Sequence, residues 1–156
     1  MLTVKAEDDG GVTYPYANIL VPADGSEGAE AAIGPAADIA RAYDARIHAL
    51  CVIDTMAMGV DVPSGAILGA LEESAQLAVE TIEEQAAHAF VSAVETAIHH
   101  GNPYRAIRSY VKEHDIAPVI MGTHGRSGID RYLLGSVAEK TMRTSPVPVM
   151  TVRQPE

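Results

Sequence analysis

Tryptophan is absent from this 156-residue chain, and phenylalanine and cysteine occur once each. With Cys51 alone, no disulfide can close within the chain, which suits a reducing, cytoplasmic compartment. Cys51 stands in an apolar run and reads as a small buried hydrophobe rather than a reactive thiol. No apolar stretch approaches the ~20 residues of a membrane-spanning helix, so a membrane partner is not expected. The N-terminus carries Glu7, Asp8 and Asp9 before Gly10 and Gly11. It lacks the basic and apolar regions of a secretory signal. Residues 1–17 therefore read as a loose leader and residues 18–154 as one domain. Lysine is scarce too: Lys5, Lys112 and Lys140 stand against eight arginines, and the net charge is −10. A field of that sign excludes duplex nucleic acid as a partner. Acid excess with few lysines fits a salty cytoplasm, where ions screen self-repulsion. Plain acidity for solubility fits equally, and both readings stand at this point.

What is present is enough for a core. Hydrophobic residues make up 47% of the chain, and the mean hydropathy is +0.07. Both values belong to a globular domain. The charge is uneven: residues 118–156 hold five basic and three acidic side chains, and residues 1–117 hold six and eighteen. An anionic ligand is repelled least by the C-terminal quarter.

Apolar runs and helical periodicities alternate along the chain. Ile19-Leu20-Val21 predicts a strand buried on both faces. Asp24-Gly25-Ser26 is a turn, with Ser26 placed as an N-cap. Ala29, Ala32, Ile33, Ala36, Ala40 and Tyr43 recur at helical spacing, and Pro35 must kink that helix or reset its start. Ile47–Ile53 is a second strand. Residues 55–65 form a loop, and Ala66 to about Ala89 give a long helix, patterned by Ile67, Leu71, Ala75, Ala78, Val79, Ile82 and Ala86, with glutamates on its outer face. Phe90–Ile98 is expected as a third strand, ended by His99-His100-Gly101. Asn102 and Pro103 open the next helix, which buries Ala106, Ile107, Tyr110 and Val111. Pro118–Met121 is a fourth strand. A final helix covers Leu133, Leu134, Val137, Ala138, Thr141 and Met142, and a last strand runs over Val147–Val152 after Pro146. The fold class is α/β: an open five-stranded parallel sheet with helices on both faces, Rossmann-like.

The chemistry concentrates in Met121-Gly122-Thr123-His124-Gly125-Arg126-Ser127-Gly128, followed by Leu134-Gly135-Ser136. This segment leaves a buried strand and enters a helix, where open parallel sheets bind ligands. Glycines let the backbone approach an anion, and a helix N-terminus favours phosphate. A ligand-free glycine turn is the plainer alternative. Neither the G-x-G-x-x-G nor the P-loop pattern applies. The spacing Gly122-x2-Gly125-x9-Gly135-Ser136 resembles the signature of ATP-binding universal stress proteins. Ile19-Leu20-Val21-Pro22-Ala23-Asp24-Gly25-Ser26, Leu50-Cys51-Val52-Ile53-Asp54, Gly101-Asn102-Pro103 and Pro146-Val147-Pro148-Val149 resemble further pieces of that family in order. The likeness covers nearly all of Asn18–Arg153, and the fold it implies is of the adenine nucleotide alpha hydrolase type.

That resemblance implies an ATP site. Asp24, with Pro22, Ala23 and the Val52 backbone, would hold the adenosine. Gly122, Gly125, Gly135 and Ser136 would hold ribose and phosphates, flanked by Met121, His124, Arg126 and Val137. Mg2+ or Mn2+ would come with the phosphates, with Ser136 the protein group nearest to hand. A homodimer through the last strand, at Val147, Val149 and Val152, follows from an apolar edge that needs cover and from the family likeness. No Ser/His/Asp or Cys/His set and no carboxylate pair points to catalysis. A binding and signalling module is thus favoured over a slow ATPase or ATP-using transferase. An interaction protein that has given up nucleotide is disfavoured by the intact glycines. His99 and His100 as a metal pair, and Met56 and Met58 over an adenine, are minority readings.

Overall fold

Ile19, Leu20 and Val21 have no solvent-exposed surface, as a strand packed on both faces requires. The computed structural model describes residues 16–54, 65–123 and 134–154. The elements are β1 (Asn18–Ala23), α1 (Glu27–Glu30), α2 (Ile33–Tyr43), β2 (Arg46–Ile53), α3 (Gly65–His88), β3 (Val94–His100), α4 (Pro103–Glu113), β4 (Val119–Gly122), α5 (Ser136–Thr144) and β5 (Val149–Val152). The strands form one sheet in the order β3-β2-β1-β4-β5, and every neighbouring pair is parallel. Packing already includes the end of the presumed leader. The Tyr16 ring meets Tyr43 edge-on at 5.3 Å, and the Ala17 carbonyl accepts from the Arg46 N–H at 2.9 Å. Among the described residues no helix is long and apolar enough to cross a membrane.

Alternation along β1 divides the core. Ile19 and Val21 join Ile33, Ala36, Ala40, Ala75, Val79 and Ile82, under α2 and α3. Leu20 joins Ile107, Tyr110, Val111 and Ala138, under α4 and α5. Helices thus cover both faces, as expected. Cys51 is buried and unbridged.

Four boundaries differ from expectation. The first helix is two: α1 ends at Glu30 and α2 starts at Ile33. Pro35 is the third residue of α2, and the first α2 bond runs from the Ala36 N–H to the Ala32 carbonyl. The missing proline N–H therefore falls where a helix has no internal acceptor. Phe90 does not begin β3. It turns with φ +65 and is 86% exposed, because the Val91 N–H returns to the Ala86 carbonyl to close α3. β3 instead takes in His99 and His100. At the C-terminus, α5 starts at Ser136 rather than Leu133 and leaves Met142 exposed, and β5 starts at Val149.

The sequence shows His48, His88 and His114 scattered, yet the fold buries the first in a polar knot. His48 is 2% exposed. Its Nδ1 lies 2.7 Å from the Tyr110 hydroxyl and its Nε2 2.9 Å from Asn18 Oδ1. Burial and Glu95 push the Tyr110 phenol up to about 12, so it keeps its proton and donates it to Nδ1. Nε2–H then donates to Asn18, which satisfies a neutral ring completely. Tyr110 stacks on His114 at 3.8 Å. The His48 pKa is held below its ordinary 6.5, chiefly by burial; Glu95 at 3.7 Å opposes this, and His114 and Arg46 reinforce it.

A histidine whose folded pKa is depressed contributes stability that is present above the unfolded value and lost as pH falls. Urea denaturation should show stability dropping as pH falls from about 6.5 through the lower folded value. His48→Gln keeps polar groups without the titration and should flatten that acid limb. An unchanged limb would remove His48 as its source.

Candidate functional site

In a parallel sheet all carboxyl ends share one edge. Here the chain fills β1, β2 and β3 outward on one side, then returns to place β4 and β5 on the other. β1 and β4 are therefore neighbours across the point where strand order reverses, the place where such sheets bind ligands. Asp24 follows β1 and Thr123 follows β4.

Asp24 is half-buried. Its Oδ1 accepts from the Ser26 N–H at 2.9 Å across Gly25, which turns with φ +81. Ser26 Oγ in turn accepts from the Ala29 N–H at 3.1 Å and caps α1. The next glycine explains Gly122. A Cβ at Gly122 would lie 2.2 Å from the Gly28 carbonyl oxygen and 2.6 Å from its carbon. The end of β4 and the first turn of α1 meet backbone to backbone, and Gly122 has no room for a side chain there. Gly28 escaped the sequence reading; its signal is a poor helix former in the first turn, two residues after the N-cap Ser26.

On the other side of β4, the Thr123 N–H donates to the Val152 carbonyl at 3.1 Å, and the Thr123 carbonyl accepts from the Gly135 N–H at 2.6 Å. This bond hangs the start of α5 from the end of β4. Gly135 is the N-cap of α5 and supplies no side-chain acceptor, unlike Ser26 on α1 and Asn102 on α4. The first-turn N–H groups of α5 have no acceptor within the helix, and they carry its partial positive charge. Ser136, the first helical residue, is exposed.

The fold brings Pro22, Ala23, Asp24, Gly122, Gly135 and Ser136 to this edge. Met121 is 6% exposed and packs in the core with Leu20 and Val119, while Val52 and Val137 pack against the same cluster. Those three offer the site main-chain groups, not side chains. His124, Gly125 and Arg126 lie outside the described residues, as do Met56 and Met58. His99 and His100 are successive strand residues and point to opposite faces. His100 Nε2 sits 3.7 Å from Glu72 and the His99 ring 5.7 Å from Tyr110, so they do not converge on a metal. Among the described residues no group of three or more His, Cys, Asp or Glu could hold an ion.

The family model for universal stress proteins matches residues 15–153. The chain belongs to that family. A universal stress protein of Methanocaldococcus jannaschii is 31% identical over 145 residues, covering 90% of this chain and 84% of the relative. The universal stress protein UspA of Lactobacillus plantarum superposes with a TM-score of 0.72 at 29% identity, over 88% of this chain and 98% of that one. A universal stress protein solved with cAMP superposes at 0.69 with 23% identity, over 90% and 98%, and shows the shared fold.

The Gly122–Gly28 contact yields a stability test. Gly122→Ala must push β4 and α1 apart, at a cost of about 1–3 kcal/mol in urea denaturation without nucleotide. An unchanged midpoint would mean that the contact is not tight.

Proposed function

We propose that the chain binds ATP together with Mg2+ or Mn2+ at the β1/β4 switch point and serves as a nucleotide-dependent stress-response or signalling module of the cytoplasm. The observation that carries this reading is the N-terminus of α5, whose N-cap Gly135 makes no side-chain cap bond and is tied to Thr123 at the carboxyl end of β4. Three features fit an adenine nucleotide. The α5 N–H groups and the Ser136 hydroxyl supply donors for phosphate. Asp24 supplies an acceptor for ribose hydroxyls at the end of β1. The cAMP held by a relative of the same fold supports the ligand class. The divalent ion would neutralise phosphate charge, with Ser136 the described hydroxyl placed to join it. Binding is favoured over turnover because Asp24 is occupied as a turn acceptor and the sequence offers no Ser/His/Asp or Cys/His set for catalysis.

Ser136→Pro is the sharpest test. Proline is tolerated at the first helical position, so α5 should survive while one N–H and one hydroxyl are lost. Calorimetry should show ATP affinity reduced by about 1.5–3 kcal/mol, the worth of hydrogen bonds to a charged group, with little change in melting temperature. Equal affinity in wild type and variant would remove α5 from the site.

We also propose a homodimer through β5, the sheet-edge strand. The Pro148 and Val152 carbonyls point to β4, so Val149 and Thr151 turn their main-chain groups outward and the prolines leave that edge open. The side chains of Val147 and Val149 pack on the core under α5, and Val152 on the opposite core. The interface is therefore main chain plus Met150, which is 41% exposed. Light scattering should give twice the 16.4 kDa chain mass, and Met150→Lys should return it to one. A wild-type monomer at micromolar concentration overturns the pairing.

A further inference from the structure

The two faces of the sheet carry opposite charge. Helices α1–α3 hold Glu27, Glu30, Asp38, Glu72, Glu73, Glu80, Glu83 and Glu84 against the single cation Arg41. Helices α4 and α5 hold Arg105, Arg108, Lys112, Lys140 and Arg143 against Glu113 and Glu139. Five of the eleven basic residues thus lie on two short helices packed side by side, in a chain of net charge −10.

Between α4 and α5 runs a groove of roughly 260 Å3, open mouth included, with apolar walls that include Ile107, Val111 and Pro146. Arg108 lines it as well, and the Lys140 ammonium lies 4.9 Å from the ring centre of Tyr104, a further wall residue. Among the described residues the Thr141 hydroxyl, buried in its lining, has no hydrogen-bond partner, an uncommon state in a folded protein. The enclosed part of the groove has space for about one water molecule, so an aliphatic side chain would rest across its open mouth rather than fill it.

The opposite face offers such a side chain. Leu77 on α3 is 65% exposed. Glu73, Leu77, Glu80 and Glu84 follow one another at spacings of four, three and four, which places them on one helical stripe, and all four are exposed. Gln76 donates to Glu80 at 2.8 Å, and His88 stands 3.9 Å from Glu84 at the end of the stripe. An exposed leucine bracketed by carboxylates complements an apolar groove bracketed by cations.

We propose that the α4–α5 groove of one copy of this chain receives the Leu77 stripe of α3 from a second copy. The two surfaces differ, so the contact is heterologous and propagates copy to copy. It is also separate from the edge of β5. At about 0.1 M salt the screening length is about 10 Å, so the facing patches attract locally while the overall negative charges are screened.

Sedimentation velocity of the full chain at concentrations up to roughly 1 mM, the range in which small interfaces register, tests this. The average mass should climb past that of a pair as concentration rises at about 0.1 M salt, and should fall back at about 1 M, where the screening length is about 3 Å. Leu77→Glu and Arg108→Glu should each weaken the climb by on the order of tenfold. Both positions are exposed, and circular dichroism verifies the fold. Glu80→Lys alone should weaken the climb, and Glu80→Lys with Arg108→Glu should restore it in part. Met150→Lys should leave it in place. A mass that never passes a pair, or a climb indifferent to Leu77 and Arg108, overturns the proposal.

Discussion

β1 has to satisfy two cores at once, and the rest of the molecule is built around that demand. Its side chains alternate between the cluster under α2 and α3 and the cluster under α4 and α5, and its main chain pairs with β2 on one side and β4 on the other. Because it has neighbours on both sides, its carboxyl end opens onto the reversal of strand order instead of a sheet edge. The turn that follows carries Asp24, and the first turn of α1 then lies against Gly122. Loss of volume in β1 would loosen both cores together, and with them the approach of α1 to β4 that shapes the floor of the site.

The two ends of the sheet are specialised differently. At the carboxyl end, the N-cap of α5 is a glycine that brings no side-chain acceptor to the first-turn N–H groups. At the amino end, β1, β2 and α4 lock a neutral histidine between a phenol and an amide. Buried polar groups that are fully paired rigidify their surroundings, and this knot ties α4 to the strands at the end away from the ligand edge.

Much of this arrangement is legible in the sequence because burial leaves a strong pattern. Ile19-Leu20-Val21, the second strand over Ile47–Ile53 and the stripe Ala75, Ala78, Val79, Ile82, Ala86 all lie where their periodicity puts them. Asn102 and Pro103 open α4 as capping chemistry requires. What failed was local. Phe90-Val91 looks like strand because it is apolar, but closing α3 takes a left-handed residue, and Phe90 occupies that position. β3 is an edge strand whose residues are half-buried, so its pattern is weak and its register is set by β2 instead. The His48 knot joins residues 18, 48, 95, 110 and 114, and no spacing rule connects positions so far apart. Its only trace in the sequence is a polar residue inside an otherwise apolar strand.

The glycine motif shows why a correct pattern can be read for an incomplete reason. All three glycines suggest backbone kept clear for an anion, yet the two within the described structure do different work. Gly122 is required by α1: a side chain there collides with Gly28 whether or not a ligand is bound. Gly135 has φ −61 and ψ 155, ordinary extended geometry open to any residue, so nothing in its backbone demands glycine. At an N-cap, serine, aspartate or asparagine would stabilise the helix slightly more than glycine does, by covering first-turn N–H groups. Glycine leaves those groups uncovered. The first glycine thus fixes how closely α1 approaches β4, and the second adds no side-chain acceptor at the start of α5. A chain that kept Gly122 but carried serine at position 135 would retain this fold while supplying a side-chain acceptor to the first-turn N–H groups of α5.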